Sequence, residues 1–332
     1  MATEARPLAA ARSRRVLLVV SLAALVAAAA VVGATLLQTR GDRTTVPGAV
    51  TQPRPGPPLL QLELGLRSDP EARALARAER LLDSRGQASR AAAIFRRYRS
   101  LEAQLGAAFA SWRGPSSLPA VKALLAAYPD SPAALFNLGS AEYQAGRNAE
   151  AASVWEETAK RYPDTPYGVD ALDALHGGPR GLPPILTGFE LPNALTEQRL
   201  AALRLAAERP AAHAKLLYGV ALWDLKRPLS AERQLAAAAR LAPSDPVVRT
   251  AAAVARYSKA NPTRAFARLG PLTAVFPHAA VVQFHLGLLL IYVDEWTKAG
   301  RHLRAAIADD PRSPYAKPAR TLLASLPHTR SK

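Results

Sequence analysis

Residues 212–245 read AHAKLLYGVALWDLKRPLSAERQLAAAARLAPSD, and their pattern recurs along the rest of the chain. Prolines follow one another at intervals of 34 residues, at Pro243, Pro277 and Pro311. Each interval also holds a small residue, an alanine 12 positions later and a leucine 4 positions after that, as in Gly219–Ala231–Leu235, Ala253–Ala265–Leu269 and Gly287–Ala299–Leu303. A fixed period of this length indicates stacked helix–turn–helix units.

The small residues mark the place where two antiparallel helices cross. Gly219 and Ala231 let the two backbones approach, and Leu235 fills the space beside them. The proline that closes each unit stops the second helix, because it lacks an N–H group and disfavours helix at the residue before it. One hairpin cannot bury its apolar face alone, so successive hairpins must stack.

The most regular copy is residues 132–165, PAALFNLGSAEYQAGRNAEAASVWEETAKRYPDT. Its pattern is carried by Leu135, Leu138, Gly139, Gly146, Ala151, Trp155 and Pro163. This copy and the units that follow residue 212 resemble the tetratricopeptide repeat (TPR) family, over about half of the chain. The resemblance implies an all-α fold, a right-handed α-solenoid of TPR-like helix–turn–helix repeats.

The first 37 residues predict an N-terminal transmembrane helix. Residues 1–15 form a basic tail, and residues 16–37 are 22 positions without a charge. As a helix this run is about 33 Å long, enough to cross a bilayer core of roughly 30 Å. We therefore expect a single-pass signal anchor in the cell membrane, with the N-terminus cytoplasmic and the repeats extracytoplasmic. The alternative is a signal peptide cleaved at Val32-Gly33-Ala34, which leaves a secreted protein.

The remaining chain divides into four parts. Residues 38–69 are rich in proline and predict an extended linker. Residues 70–131 predict degenerate TPR-like repeats, and residues 132–211 one TPR followed by a repeat with a loop insertion at 177–193. The insertion either decorates the binding face or is an inert hinge between two solenoid halves. Residues 212–332 predict a TPR array that ends in a capping helix.

Composition and motifs favour a binding protein over an enzyme. The 332-residue chain has a formal net charge of +17 and no cysteine, which excludes disulfides, thiol catalysis and Cys-ligated zinc. None of the 6 histidines pairs at metal-ligand spacing, and no phosphate-binding loop or nucleophile elbow occurs. The basic residues are not interleaved with aromatics as on a nucleic-acid platform. We therefore expect no enzymatic activity, cofactor, metal or nucleic-acid partner.

The TPR resemblance also implies a binding site. In that family the first helix of each repeat lines a concave groove for an extended or helical peptide, through residues spaced i, i+4 and i+7. The corresponding residues here are Phe136, Ser140, Tyr143, Leu216, Val220, Trp223, Thr250, Val254, Tyr257, Phe284, Leu288 and Ile291. Asn137 and Asn261 are candidates to bond a peptide main chain. Alternatively, Val220, Leu288 and similar residues are covered by the next repeat.

Together these features predict a non-enzymatic, membrane-anchored TPR scaffold. We expect it to bind protein or peptide partners through its groove, in the assembly of a bacterial envelope complex. The alternative is a basic binder of anionic envelope polymers or lipids, attracted by the net positive charge. Salt distinguishes the two hypotheses, because polyanion binding weakens steeply with ionic strength.

Overall fold

The computed structural model describes residues 56–84, 86–189 and 195–327, and within them it contains helices and no strand. In chain order the helices are α1 (Pro70–Asp83), α2 (Ala88–Phe95), α3 (Leu101–Ala110), α4 (Leu118–Ala126), α5 (Pro132–Gln144), α6 (Asn148–Arg161), α7 (Pro166–Leu175), α8 (Glu197–Glu208), α9 (Ala212–Asp224), α10 (Pro228–Leu241), α11 (Pro246–Val254), α12 (Thr263–Leu269), α13 (Leu272–Val275), α14 (Ala280–Ile291), α15 (Trp296–Asp309) and α16 (Ala316–Ser325). A 3₁₀ turn at Pro115–Ser117 precedes α4. The all-α prediction is confirmed for these residues.

The helices pair as hairpins and the hairpins stack. Neighbouring helices pack in the pairs α1/α2, α3/α4, α5/α6, α9/α10 and α14/α15. The first helices of successive hairpins also pack on one another, α1 on α3, α3 on α5 and α5 on α7, and then α9 on α11 and α11 on α14. We call the surface lined by these first helices the first-helix face. This arrangement is the predicted solenoid.

The crossing points inside the hairpins lie where the repeat pattern places them. A Cβ built on Gly219 would lie 2.6 Å from Cγ of Leu235, and one on Gly287 would lie 2.9 Å from Cγ of Leu303. A Cβ on Gly139 would collide with the indole of Trp155. Each bulky residue follows its glycine by 16 positions, so the same close approach recurs in three hairpins. Larger residues at these glycines would push the helices apart.

Two hydrophobic clusters form the core. One joins residues 60–171, which we call the N-terminal half, and the other joins residues 185–319, the C-terminal half. Hydrogen bonds and ion pairs connect the two halves. Three aspartates in or just before α7 contact side chains that lie in the turns or at the first residues of the C-terminal hairpins. The pairs are Asp164–Ser230, Asp170–Lys226 and Asp173–Lys259, at 2.6, 2.5 and 2.6 Å between the bonded atoms.

The predicted single-pass membrane localisation is corrected by the structure. No helix within residues 56–84, 86–189 and 195–327 is both long enough and apolar enough to cross a membrane. The longest of these helices have 14 residues, about 21 Å, whereas a bilayer core is roughly 30 Å thick. The tail at 1–15 and the run at 16–37 lie outside the described residues. The envelope-assembly hypothesis depended on that anchor and has no separate support.

Part of the predicted linker belongs to the folded core. Residues 58–64, between a bend at 56–57 and a turn at 65–66, form an extended stretch, and its Leu60 and Leu62 are buried against the N-terminal half. Asp69, at the end of the predicted linker, caps α1 by accepting a hydrogen bond from the N–H of Ala72. Apolar residues at alternate positions of an extended chain share one side, which is why this stretch packs on the helices. Residues 38–55 lie outside the described residues.

Substitution of Gly168 tests how tightly α7 meets the preceding turn. A Cβ on Gly168 would collide with the carbonyl oxygen of Tyr162, which is backbone and has little freedom to move. We expect Gly168→Ala to lower the free energy of unfolding by about 1–3 kcal/mol, measured by urea denaturation. The matched control is Gly300→Ala in α15, where a Cβ meets its nearest atom at 3.5 Å. Because alanine favours helix over glycine, the control should be neutral or stabilising by up to about 1 kcal/mol. Equal effects at both positions would contradict the packing argument.

Candidate peptide-binding face

Two extended stretches of the chain lie along the first-helix face. We call residues 56–64 inner segment 1 and residues 181–187 inner segment 2. Inner segment 1 bonds side chains of α1, α5 and α7 in the N-terminal half. Inner segment 2 bonds side chains of α9 and α14 in the C-terminal half, and Tyr292 directly after α14. The face implied by the TPR resemblance is therefore occupied by the protein's own backbone.

Asn137 of α5 binds inner segment 1 through both main-chain polar groups of one residue, Gln61. Its Oδ1 accepts from the N–H of Gln61 at 3.0 Å, and its Nδ2 donates to the carbonyl of Gln61 at 2.9 Å. The second Nδ2 hydrogen goes to the carbonyl of Ala133 at 2.9 Å. Asn137 is fully buried, so these bonds satisfy an amide that would otherwise be expensive to desolvate.

Further side chains bond the main chain of inner segment 1 on either side of Gln61. The carboxylate of Glu79 accepts from the N–H of Leu62, and the hydroxyl oxygen of Tyr167 accepts from the N–H of Glu63, both at 2.9 Å. Burial raises the pKa of Glu79 to about 6. The amide of Gln144 donates to the carbonyl of Gly56 at 2.9 Å. All of these hydrogen bonds go to main-chain groups of inner segment 1, so they stabilise its extended conformation. Any preference for a particular sequence must come from the side chains of the segment.

Inner segment 2 is held in the same manner by different residues. The indole N–H of Trp223 donates to the carbonyl of Pro183 at 2.8 Å, and the hydroxyl of Tyr292 donates to the carbonyl of Leu182 at 3.2 Å. The N–H of Leu186 donates to Nε2 of His285 at 3.0 Å. These contacts read the backbone, as in the N-terminal half.

The start of inner segment 2 is tied to the joint between the halves. Oδ2 of Asp173 accepts from the N–H of Gly181 at 2.6 Å, while its Oδ1 lies 2.6 Å from the ammonium of Lys259. The side chains of Lys259 and Asp173 are only 5% and 9% exposed. This buried ion pair fixes α7, the turn that follows α11 and the entry of inner segment 2 in one arrangement.

The residues that the TPR resemblance implies as a partner groove are nearly all buried in the structure. All except Tyr143 are less than one-tenth exposed: Phe136, Ser140, Leu216, Val220, Trp223, Thr250, Val254, Tyr257, Phe284, Leu288 and Ile291. Tyr143 is half-buried, with its ring 6.0 Å from that of Trp155. Stacked helices and the inner segments cover this surface. Of the set, Trp223 is placed to bond an inner segment directly.

The two asparagines that were candidates to bond a peptide main chain have different surroundings in the structure. Asn137 bonds Gln61, whereas Asn261 lies in the turn before α12 and accepts from the hydroxyl of Thr263. His285, Tyr292 and the other main-chain partners were not among the predicted site residues, because a single histidine or tyrosine at helical spacing is typical of a packed core. The sequence signal that could have indicated the inner segments is the alternation of apolar residues beside prolines.

The hydrogen bond between His285 and inner segment 2 depends on the protonation state of the imidazole. Its Nδ1 lies 2.8 Å from the carbonyl of Val281, which only accepts, so Nδ1 carries the proton and Nε2 accepts from Leu186. Burial lowers the pKa of His285 to about 4. Protonation would turn Nε2 into a donor that faces another donor.

Acid should therefore destabilise the protein through His285. Between the folded-state pKa of about 4 and the ordinary value of 6.5, the unfolded chain binds the proton more readily. The contribution is complete above pH 6.5 and is lost as pH falls toward 4, about 3 kcal/mol in total. Urea unfolding at neutral and acid pH measures it, and His285→Gln keeps an acceptor without a titrating group. A parent-minus-variant difference that does not change with pH would contradict this assignment.

Comparisons with known proteins find one family match, to a single repeat, and distant similarity to solved structures. Residues 133–165 match the tetratricopeptide repeat family model. A search of curated proteins finds no match. Among solved structures, yeast Tom70 is 11% identical with a TM-score of 0.33, over 77% of this chain and 48% of that one. The APC/C hetero-tetramer Cut9–Hcn1 is 14% identical with a TM-score of 0.26, over 76% and 55%. Acl4, an assembly chaperone of RpL4, is 18% identical with a TM-score of 0.25, over 77% and 97%.

Proposed function

We propose that this chain is a non-enzymatic protein-interaction scaffold whose first-helix face binds extended peptide segments of partner proteins. One observation carries the proposal: Asn137 bonds both the N–H and the carbonyl of a single residue, Gln61, as a receptor for an extended chain would. TPR-type helical repeats commonly serve as protein-interaction scaffolds, which agrees with this reading of the matched repeat at 133–165.

Inner segment 2 is the resident ligand that a partner would replace. Glycines with positive φ lie at its ends, at +75° for Gly181 and +76° for Gly188, so the backbone turns there without the strain that other residues would add. Removing the segment would uncover the Trp223 indole and His285 Nε2, both ready to bond a different backbone. A tethered segment competes at an effective concentration in the millimolar range, so the intact protein should bind free peptides weakly.

The test measures whether inner segment 2, supplied as a free peptide, binds a chain from which the segment has been removed. In the full-length chain, residues 181–187 are replaced by a glycine–serine stretch of the same length, which we call the opened chain. A synthetic peptide of residues 179–189, PRGLPPILTGF, is then titrated by calorimetry. We expect saturable binding at one site per chain, and binding to the parent that is at least about tenfold weaker because its own segment competes.

Two controls accompany the titration. A scrambled peptide of the same composition should not bind, since the alternation of inward side chains is lost. Circular dichroism should show that the opened chain keeps the helicity of the parent. A helical opened chain that does not bind the peptide would refute the proposed function.

A further inference from the structure

The two inner segments share a sequence pattern in the same structural register. Inner segment 1 begins Gly56-Pro57-Pro58-Leu59-Leu60 and inner segment 2 begins Gly181-Leu182-Pro183-Pro184-Ile185. In both, a glycine lies two positions before a buried proline, and a buried aliphatic residue lies two positions after it. The residue between proline and aliphatic, Leu59 or Pro184, is exposed.

In both segments the hydrogen bond from the main-chain N–H to a first helix lies at the same position of this pattern. The residue directly after the buried aliphatic is Gln61 in one segment and Leu186 in the other. Its N–H donates to Asn137 Oδ1 of α5 at 3.0 Å, and to His285 Nε2 of α14 at 3.0 Å. Two chemically different acceptors, on first helices of different hairpins, thus receive the equivalent hydrogen bond. Because asparagine and histidine are different residue types, the equivalence does not come from a repeated acceptor side chain. A common way of binding the extended backbone explains it.

We propose that both halves bind one ligand class, an extended Gly-x-Pro-x-aliphatic segment, and that the partner's segment takes the place of inner segment 2. The inference rests on the proposed function and names its ligand. The proline and the aliphatic side chain face the helices, and the next N–H bonds an acceptor on a first helix. Proline keeps the segment extended before binding, which lowers the entropy lost on docking.

The third inward position shows why inner segment 2 is the exchangeable one. Inner segment 1 places Leu62 there, 6% exposed and part of the hydrophobic core. Inner segment 2 places Thr187, whose hydroxyl bonds the N–H and the carbonyl of Phe189 in its own chain at 3.3 Å. A threonine that turns back on its own backbone contributes less apolar burial than leucine. A partner segment with an aliphatic residue at this position would fit the face better than the resident one.

An alanine scan of the trans peptide tests the register. Titrated into the opened chain, peptides with Pro183→Ala or Ile185→Ala should bind at least about tenfold more weakly, because each loses an inward side chain. The matched control, Pro184→Ala, removes an exposed proline and should change affinity by less than about twofold. If the parent peptide binds and the control position is the sensitive one, or the scan is flat, the shared rule is wrong while the proposed function stands.

A second peptide tests whether a segment from the N-terminal half binds at the site of inner segment 2. The peptide of residues 56–64, GPPLLQLEL, should displace a labelled 179–189 peptide from the opened chain at equal or lower concentration. Binding of the 179–189 peptide without this displacement would overturn the inference alone. Failure of both peptides to bind a helical opened chain would overturn the proposed function as well.

A milder variant keeps the test decisive if the opened chain loses helicity. Pro183→Ala with Ile185→Ala, made within the full-length chain, weakens the resident segment without deleting it. The free 56–64 peptide should then bind this variant at least about tenfold more tightly than it binds a Pro184→Ala chain. Equal affinities for the two chains would overturn the inference.

Discussion

Trp223→Ala is expected to lower the free energy of unfolding by about 3–5 kcal/mol. The side chain is 2% exposed and lies in the hydrophobic core of the C-terminal half, so truncation leaves a cavity in a packed interior. It also removes the indole N–H that donates to the carbonyl of Pro183. Urea denaturation followed by far-ultraviolet circular dichroism measures the loss.

Two further variants separate packing from the hydrogen bond. Trp223→Phe keeps most of the apolar contact and lacks the donor, so we expect a smaller loss of stability and faster amide hydrogen exchange confined to residues 182–187. Trp296→Ala is the control for aromatic removal, since this side chain is only partly buried at the edge of the same cluster. If Trp223→Ala costs no more than Trp296→Ala, Trp223 would be an exposed groove residue, as the TPR resemblance implied.

Lys259→Met should be the second severe substitution, at about 3–5 kcal/mol. It removes the cation that lies 2.6 Å from Asp173 and leaves a carboxylate that is 9% exposed without its partner. An uncompensated buried charge costs more than the pair contributes, which is why the effect of breaking the pair is large. The free energy of unfolding from urea denaturation is again the measurement.

The double variant identifies the cause. Asp173→Asn combined with Lys259→Met removes both charges and keeps an oxygen that can accept from the N–H of Gly181, so most of the lost stability should return. The surface control is Arg161→Met, whose guanidinium pairs with the 88% exposed Asp130 and should matter by less than about 1 kcal/mol. A double variant no more stable than Lys259→Met would show that charge burial is not the reason.

The hairpins themselves could be predicted from sequence because their determinants are local and periodic. The contact between Gly219 and Leu235 joins positions 16 apart, and the same spacing recurs at Gly287 and Leu303. A small residue on one helix and a bulky one on the next are brought together by two regular helices and the short turn between them, all of which are local in sequence. The helix caps are equally local, as in Ser131 accepting from the N–H of Ala134.

The binding face could be predicted only in part. The i, i+4, i+7 spacing predicts which residues share one side of a helix, such as Trp223 in α9 and Phe284 in α14, but helix periodicity says nothing about what lies against that side. The covering elements are remote in sequence: Gln61 is 76 residues from Asn137, and Leu182 is 110 residues from Tyr292. Extended segments have no hydrogen bonds of their own to mark where they dock.

The amino-acid pattern is sufficient to predict a stack of helical hairpins with small residues at each crossing, because steric fit within a hairpin depends on residues at most about 16 positions apart. The position of the inner segments on the first-helix face, and the contact of Asp173 with Lys259 between the two halves, became known from the folded structure alone. Those contacts close long loops, and a buried partner for Asn137 or His285 exists only once the remote backbone has arrived.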